Sequence, residues 1–315
     1  MKELILGLYG LSKNKNNISG YNVINDNEAI EILKKAWEIG IRFVDTAPSY
    51  GGGNADVLIK KMRSSNFNFK LISKIGLDIQ KNKFHEDNDF IRKELFNLKN
   101  NHAGNVHSVL LHSPTGSFLS NENNLRLFYE NAKNILGDKT NVGISLRDPK
   151  DLKFLNNLQE NFFIESNLSW FDLRLLNQIN NSNQSKFKIM ARSIYASGIL
   201  NIIFNGEILS KDSFDKNDIR SSWDIKKLLY ENKDDIERIK NVKKVLSQSS
   251  LSEFVFSLFP LISSMLFGII IGPLSIKELL DSEKSYKKEL TNDIKKDLKE
   301  IINIYNPKLP LELNN

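Results

Sequence analysis

Three short segments, each an apolar run that leads into polar side chains, decide the fold: FVDTAPSY at 43–50, LISK at 71–74 and VLLH at 109–112. An apolar run of this length is typical of a buried parallel strand. The polar groups that follow are Asp45, Tyr50, Lys74 and His112. Because (β/α)8 barrels carry their active sites at the carboxyl ends of the strands, these segments predict four polar side chains on one face of a barrel.

The same alternation continues along the whole chain. We predict strands over 4–7, 41–45, 70–74, 106–112, 141–145, 162–165, 187–192 and 267–271. Helical periodicity lies between many of them, over 27–39, after Asn54, near 89–100 and 121–136, and over 290–304 at the end. Since no glycine-rich G-x-G-x-x-G fingerprint follows the first strand, this pattern favours a closed (β/α)8 TIM barrel over an open sheet, with 1–315 as a single domain.

Composition limits the function classes. The chain has 315 residues, 40% hydrophobic and 26% charged, which is ordinary for a globular protein and fits one barrel. The net charge of +6 comes from scattered lysines without a basic block, so we expect no nucleic-acid partner and only a weak bias toward anionic ligands. With no cysteine, disulfides, thiolate chemistry and cysteine metal clusters are excluded.

The termini and apolar stretches predict a cytoplasmic protein. Residues 1–10 lack the basic start and long apolar core of a signal peptide. The strongest apolar stretch, 254–271, is interrupted by Pro260, Ser263, Ser264 and Gly268, so we expect no membrane span.

One long loop, about 201–223, breaks the alternation after the seventh strand and is rich in Ser, Asp and Lys. Long loops on that face of a barrel often shape a substrate pocket or act as a lid. A tolerated surface insertion explains the loop equally well.

The motifs DTAPSYGGG at 45–53, SKIG at 73–76 and LLHSP at 110–114 resemble the Asp, Tyr, Lys, His tetrad of the aldo-keto reductase superfamily. The resemblance runs from residue 4 to about 283, with Asp56 where the family usually has Glu. The DTAPxYG motif and the ARS segment at 191–193 are similar to those of bacterial members related to sugar and galactose dehydrogenases. The resemblance implies an NAD(P)-dependent oxidoreductase that interconverts an alcohol and an aldehyde, a ketone or a sugar lactone or aldose.

Chemistry assigns a role to each of the four groups. Carbonyl reduction needs a proton at oxygen, and Tyr50 is the natural general acid or base. Its ordinary pKa of about 10 is high, so the nearby cation Lys74 should lower it, with Asp45 holding the ammonium. Neutral His112 would hydrogen-bond the substrate carbonyl. The hydride itself requires a nicotinamide cofactor.

Each of these residues alone also fits a structural role. Asp45 could cap a turn, Tyr50 could mark a loop tip, Lys74 could extend to solvent, and His112 could be a satisfied buried histidine. If all four roles were structural, the four residues would have to match the order of the family's tetrad by coincidence. The sequence therefore favours the catalytic tetrad.

The residues that contact the nicotinamide in the family are matched less completely in this sequence than the tetrad is. Ser145 in VGIS matches the family's contact to the nicotinamide amide, whereas Leu146 stands where many members have Asn. Glu165 aligns with a family Gln. Arg192 aligns with an aromatic residue and could stack on the ring or form a salt bridge with Glu165. The predicted nicotinamide site consists of Ser145, Glu165, Arg192 and Ser193.

The segment IIIGPLSIKELLDSE at 269–283 resembles the family's adenosine-phosphate site, in which helix N-terminal amides face an anion. It places Gly272, Ser275 and Lys277 there, and the family implies NADP(H) more than NAD(H). Glu278 aligns with an Arg of NADPH-dependent members and would repel a phosphate, which Lys277 could offset. The same three residues also fit a turn, an N-cap and a surface charge.

Two functions from different classes remain open. The first is the oxidoreductase, acting on a small-molecule carbonyl or sugar substrate. The second is a nicotinamide-binding regulatory or scaffold protein of the same fold with little catalysis, suggested by the departures at Leu146, Glu165 and Glu278. A metal-dependent isomerase would need clustered carboxylates or histidines at strand ends; the sequence shows none, so we predict no metal site.

Overall fold

The computed structural model describes residues 2–12, 24–78, 83–156, 158, 160–179, 186–206 and 233–305. Of the predicted loop over 201–223, the first six residues belong largely to a helix, and the part from 207 onward lies outside the described residues. The rest of the description concerns the barrel and the helices packed around it.

Eight parallel strands close into the predicted barrel, which confirms the (β/α)8 fold. They are β1 Glu3–Gly7, β2 Phe43–Thr46, β3 Lys70–Ile75, β6 Val106–His112, β7 Asn141–Ser145, β8 Phe163–Asn167, β9 Lys188–Arg192 and β10 Leu266–Ile271. The barrel order is β1, β2, β3, β6, β7, β8, β9 and β10, which pairs back with β1. Two short strands, β4 Leu77–Asp78 and β5 Lys83–Phe84, form an antiparallel pair after β3. Each predicted strand ends within two residues of the observed one.

Helices surround the sheet. They are α1 Asp26–Glu38, α2 Asn54–Ser64, α3 Asn88–His102, α4 Gly116–Leu119, α5 Glu122–Leu136, α6 Ile199–Asn205, α7 Lys233–Val245, α8 Leu251–Phe256, α9 Ile276–Lys287 and α10 Asn292–Tyr305. The predicted C-terminal helix over 290–304 is α10. After β7, the structure has the 3₁₀ segment Pro149–Leu155 in place of a full α-helix.

The barrel interior explains how the site is positioned. Side chains alternate along a strand, so residues two apart point to the same face. Above five of the apolar interior residues, the next inward position carries a polar group. The pairs are Phe43 and Asp45, Ile72 and Lys74, Leu110 and His112, Phe163 and Glu165, and Met190 and Arg192. The polar groups therefore form one layer at the carboxyl end, above the apolar interior.

Gly143 lets the barrel close tightly below this layer. A Cβ at this position would lie 2.3 Å from the carbonyl oxygen of Phe163 and 2.4 Å from Cδ2 of Leu110. Neither distance is possible for a real side chain, so β7 needs a glycine here to pack beside its neighbours.

The other end of the barrel is filled by aromatic rings around His107. Its ring stacks on Phe267 with centroids 5.3 Å apart and meets Phe43 edge-on at 4.9 Å. Burial, together with the charge of Lys70, lowers the pKa of His107 to about 4. The imidazole is therefore neutral in the folded protein near neutral pH.

We expect His107 to make stability depend on pH. Its pKa is lower in the folded chain than its ordinary value of about 6.5, so the unfolded chain binds more protons between these values. Stability is therefore full above about pH 6.5 and falls as the pH drops toward 4. Between pH 7.5 and pH 4.5, the free energy of unfolding should therefore fall by about 1 kcal/mol less in His107→Phe than in wild type. This figure allows for solvent screening of a half-buried group.

Urea unfolding of both proteins at pH 7.5 and pH 4.5 measures this effect. An equal loss of unfolding free energy in the two proteins would contradict the role given to His107.

Candidate active site

The centre of the polar layer is Lys74, held between two carboxylates. Its Nζ donates to Oδ2 of Asp45 and, at 3.2 Å, to Oε2 of Glu165. All three side chains are almost completely buried. Asp45 comes from the neighbouring strand β2, whereas Glu165 reaches across the barrel from β8. The ammonium is therefore fixed from both sides.

Strand register brings His112, Ser145 and Glu165 together. His112 pairs with Ser145, and Ser145 pairs with Glu165, across the adjacent strands β6, β7 and β8. Paired residues of a parallel sheet point to the same face, which here is the interior. The Ser145 hydroxyl donates to Oε1 of Glu165 at 3.0 Å.

Arg192 completes the layer at the end of β9. Its Nη1 donates to Oδ1 of Asn167 at 2.6 Å, and its Nη2 donates to the carbonyl oxygen of Leu146 at 3.0 Å. Its Nε lies 3.4 Å from Oε1 of Glu165, an ion-pair contact without the geometry of a hydrogen bond. The salt bridge considered from the sequence is thus present, while stacking on a cofactor stays a prediction.

Tyr50 lies over this layer, on the turn that follows β2. Its ring centroid is 5.2 Å from Nζ of Lys74. The ring also meets Tyr9 and His112 edge-on, with centroids 5.1 Å and 5.9 Å apart. The glycines at 51–53 all have positive φ, from +60° to +97°, which explains why three glycines in a row turn the chain into α2. The structure thus brings together all four predicted catalytic side chains.

Burial changes the expected electrostatics of Tyr50. From the sequence we expected Lys74 to lower its pKa. In the structure, burial raises the pKa of Tyr50 above its ordinary value; the charge of Lys74 offsets this only in part, and Asp45 and Glu165 add to the rise. The phenol is therefore protonated at neutral pH and can act as an acid.

The three charged groups below Tyr50 determine one another's ionisation. Burial alone would lower the pKa of Lys74, but the charges of Asp45 and Glu165 raise it, so the ammonium persists. Burial and the charge of Glu165 raise the pKa of Asp45. Burial opposes ionisation of Glu165, yet Lys74 and Arg192 together hold its pKa below the usual range. Lys74 therefore stays charged, and Glu165 stays ionised beside it.

His112 is neutral at the edge of the layer. Burial, and then the charge of Lys74, lowers the pKa of His112 to about 3. Its Nδ1 is buried and has no hydrogen-bond partner within the described part of the chain. A neutral imidazole next to Tyr50 matches the group expected to hydrogen-bond a substrate oxygen.

These groups fit a nicotinamide amide, which both donates and accepts hydrogen bonds. The hydrogen of the Ser145 hydroxyl is used on Glu165, which leaves its oxygen as an acceptor. Arg192 has five N–H groups, two of which make the hydrogen bonds above, and its side chain is 27% exposed. Arg192 can therefore donate to a bound amide while it keeps its present partners.

The predicted adenosine site is less defined. Ser193 follows β9 with φ +53°, and Gly272 is exposed directly after the neighbouring strand β10. Ser275 is the N-cap of α9 and accepts from the backbone N–H of Glu278 at 3.2 Å. Lys277 is exposed. The N-cap considered from the sequence is therefore present, and phosphate binding stays a prediction.

Glu278 has a local structural role of its own. Its Oε2 accepts from the backbone N–H of Leu274 at 2.7 Å, so the carboxylate lies at the N-terminus of α9. A negative charge there stabilises the helix. The same charge would repel a phosphate brought to this helix N-terminus.

Two neighbours of the site were not among the predicted site residues. Tyr9 lies two residues after the end of β1, at the same end of the barrel as the other groups. This position is the only feature of the sequence that indicates it. Asn167 lies two residues after Glu165, so strand periodicity places both on the interior face. Its bond to Arg192 depends on the pairing of β8 with β9.

Within the described ranges, no group of three or more His, Asp or Glu side chains is placed to hold a metal ion. No described helix has both the length and the apolar character needed to span a membrane.

With this geometry in place, sequence comparison identifies the family. The chain belongs to the aldo/keto reductase family, whose model matches residues 3–303. The family consists of oxidoreductases that act on carbonyl compounds with nicotinamide cofactors. A comparison with curated proteins gave no significant match.

Several solved structures share the fold of this chain. Glycerol dehydrogenase AKR11B4 from Gluconobacter oxydans has 16% identity and a TM-score of 0.68, over 99% of this chain and 94% of that one. The holo form of aldo-keto reductase AKR11C1 from Bacillus halodurans has 15% identity and a TM-score of 0.68, over 95% and 91%. An aldo/keto reductase from Klebsiella pneumoniae, in complex with NADP and acetate, has 13% identity and a TM-score of 0.61, over 98% and 95%. At such identities the likeness concerns the fold.

Proposed function

We propose that the protein interconverts a carbonyl compound and an alcohol with NAD(P), with Tyr50 as the general acid and base. The substrate is an aldehyde, a ketone or a sugar lactone or aldose. The observation that carries the proposal is the buried Lys74 ammonium, fixed by two carboxylates 5.2 Å from the centre of the Tyr50 ring. Family membership supports the reaction class.

The side chains divide the work of the reaction. Tyr50 is protonated and gives its proton to the carbonyl oxygen in the reducing direction. Lys74 then stabilises the phenolate that remains, because its charge is close and shielded from water. Neutral His112 hydrogen-bonds the same oxygen and orients the carbonyl. The nicotinamide, when bound, supplies or accepts the hydride.

We assign the cofactor to the barrel mouth. Ser145, Glu165, Arg192 and Ser193 form the nicotinamide side, supported by the donors and acceptors described above. The phosphate side consists of Gly272, Ser275 and Lys277. NADP(H) is proposed before NAD(H), supported by the family and by the NADP bound to the Klebsiella pneumoniae protein.

Cofactor titration followed by a substrate panel tests this proposal. Purified protein is titrated with NADPH and NADH by fluorescence quenching and then supplied with aldehydes, ketones and aldoses. We expect tighter binding of NADPH, and turnover with at least one carbonyl class. The panel is also run with alcohols and NADP⁺, since the same groups serve both directions.

The alternative function predicts a different outcome. Glu165 and Arg192 contact each other at positions expected to contact the cofactor, which suits a protein that binds nicotinamide with little catalysis. Binding without turnover in either direction would favour this regulatory or scaffold role.

A further inference from the structure

Both oxygens of Glu165 are bonded to other parts of the site. Oε2 accepts from Lys74, while Oε1 accepts from Ser145 and lies 3.4 Å from Nε of Arg192. The side chain is only 1% exposed. A buried carboxylate is costly unless it is paired, and here three neighbours on three strands pair it. Glu165 is thus part of the charged layer as well as a candidate cofactor contact.

Glu165 and Asp45 act on Lys74 from different directions. An ammonium has three N–H groups, and two of them go to these carboxylates. With Asp45 as its only partner, the Lys74 ammonium could change its position while it kept this one hydrogen bond. The second bond, from across the barrel, removes this freedom and leaves the third N–H for the side on which Tyr50 lies.

We propose that Glu165 is a positioning residue that fixes the Lys74 ammonium beside Tyr50 and whose charge sets the pH range in which Tyr50 releases its proton. This inference rests on the proposed role of Tyr50 as acid and base. It assigns Glu165 an action through Lys74, distinct from contact with the cofactor.

The charges around Tyr50 give the direction of the effect. Titratable or charged side chains face it from the loop after β1 and from four strands: Tyr9, Asp45, Lys74, His112 and Glu165. Arg192, on a fifth strand, acts on two of these groups, His112 and Glu165. Lys74 favours the phenolate, whereas Glu165 partly neutralises Lys74 and opposes it. Replacing Glu165 by neutral glutamine should therefore lower the pKa of Tyr50.

The experiment compares Glu165→Gln with Glu165→Asp, which keeps the charge. Tyrosines labelled with ¹³C at Cζ are followed by NMR during a pH titration of the cofactor-free protein, and the Tyr50 signal is assigned by its loss in Tyr50→Phe. In Glu165→Gln, we expect the Tyr50 signal to move toward phenolate about one pH unit earlier than in wild type, roughly a tenfold change in the ionisation constant. Glu165→Asp should stay close to wild type.

Turnover provides the second measurement. In the pH–rate profile of alcohol oxidation, the rise in rate that requires ionised Tyr50 should move to lower pH in Glu165→Gln. The shift should equal that of the NMR titration. Lys70→Met removes a charge at the exposed start of β3, outside the polar layer, and should leave this rise in place. Identical Tyr50 titrations in wild type and Glu165→Gln, both folded by circular dichroism, would overturn the inference.

The two proposals can fail separately. The NMR titration needs neither cofactor nor substrate, so it tests Glu165 even if no carbonyl compound is turned over. Conversely, an unshifted Tyr50 signal alongside normal turnover would reject the role of Glu165 and leave the reaction standing.

Discussion

Tyr50→Phe should lower turnover by roughly 10²–10⁴-fold, the usual size of a lost general acid or base. Phenylalanine keeps the ring and its edge contacts with Tyr9 and His112, so the barrel mouth should keep its shape. The change removes only the hydroxyl that donates the proton. We therefore expect the cofactor dissociation constant to stay near the wild-type value while kcat falls, measured by fluorescence titration and steady-state kinetics.

Tyr9→Phe is the matched control for this prediction. It removes a hydroxyl from the neighbouring ring, to which we give no part in proton transfer, so its effect on kcat should be far smaller. Equal losses in the two variants would contradict a specific role for the Tyr50 hydroxyl.

Lys74→Met should reduce both activity and stability. Methionine leaves Asp45 and Glu165 buried without their shared cation, and breaking a buried pair in this way costs roughly 3–5 kcal/mol. In the variant, both carboxylates should have pKa values above those of the unfolded chain. Their penalty therefore grows as the pH rises through that range and shrinks at low pH.

Urea unfolding at pH 5 and pH 8 measures this dependence. The difference between wild type and Lys74→Met should be larger at pH 8. Lys70→Met is the control, because Lys70 is exposed at the start of the same strand and should change stability by no more than about 1 kcal/mol. A Lys74 variant as stable as wild type at pH 8 would mean that the two carboxylates do not depend on this ammonium.

The fold and the centre of the site could be predicted from the sequence because strand periodicity is local. Asp45, Lys74 and His112 each lie two positions after an apolar interior residue on the same strand. Such spacing places a polar group at the carboxyl end of a strand, and it can be seen without knowledge of the strand neighbours. The eight apolar runs predicted the barrel for the same reason.

Interactions across the barrel could not be predicted in this way. The contact between Glu165 and Lys74 joins strands that are not neighbours, so neither periodicity nor register indicates it. The pKa of Tyr50 shifts upward because burial outweighs the cation, and the extent of burial follows from packing. The N-cap at Ser275 was recognisable locally, yet the same pattern also fits a phosphate site.

Transfer of deuterium from a cofactor labelled at nicotinamide C4 tests the central claim most directly. The protein is incubated with stereospecifically deuterated NADPH and an aldehyde or ketone that it turns over, and the alcohol is analysed by mass spectrometry. We predict one deuterium on the former carbonyl carbon with wild type, and almost none in the same time with Tyr50→Phe at saturating cofactor. Two results would contradict the account. One is unlabelled alcohol from wild type with both C4 deuterium epimers, and the other is equal amounts of labelled alcohol from wild type and Tyr50→Phe.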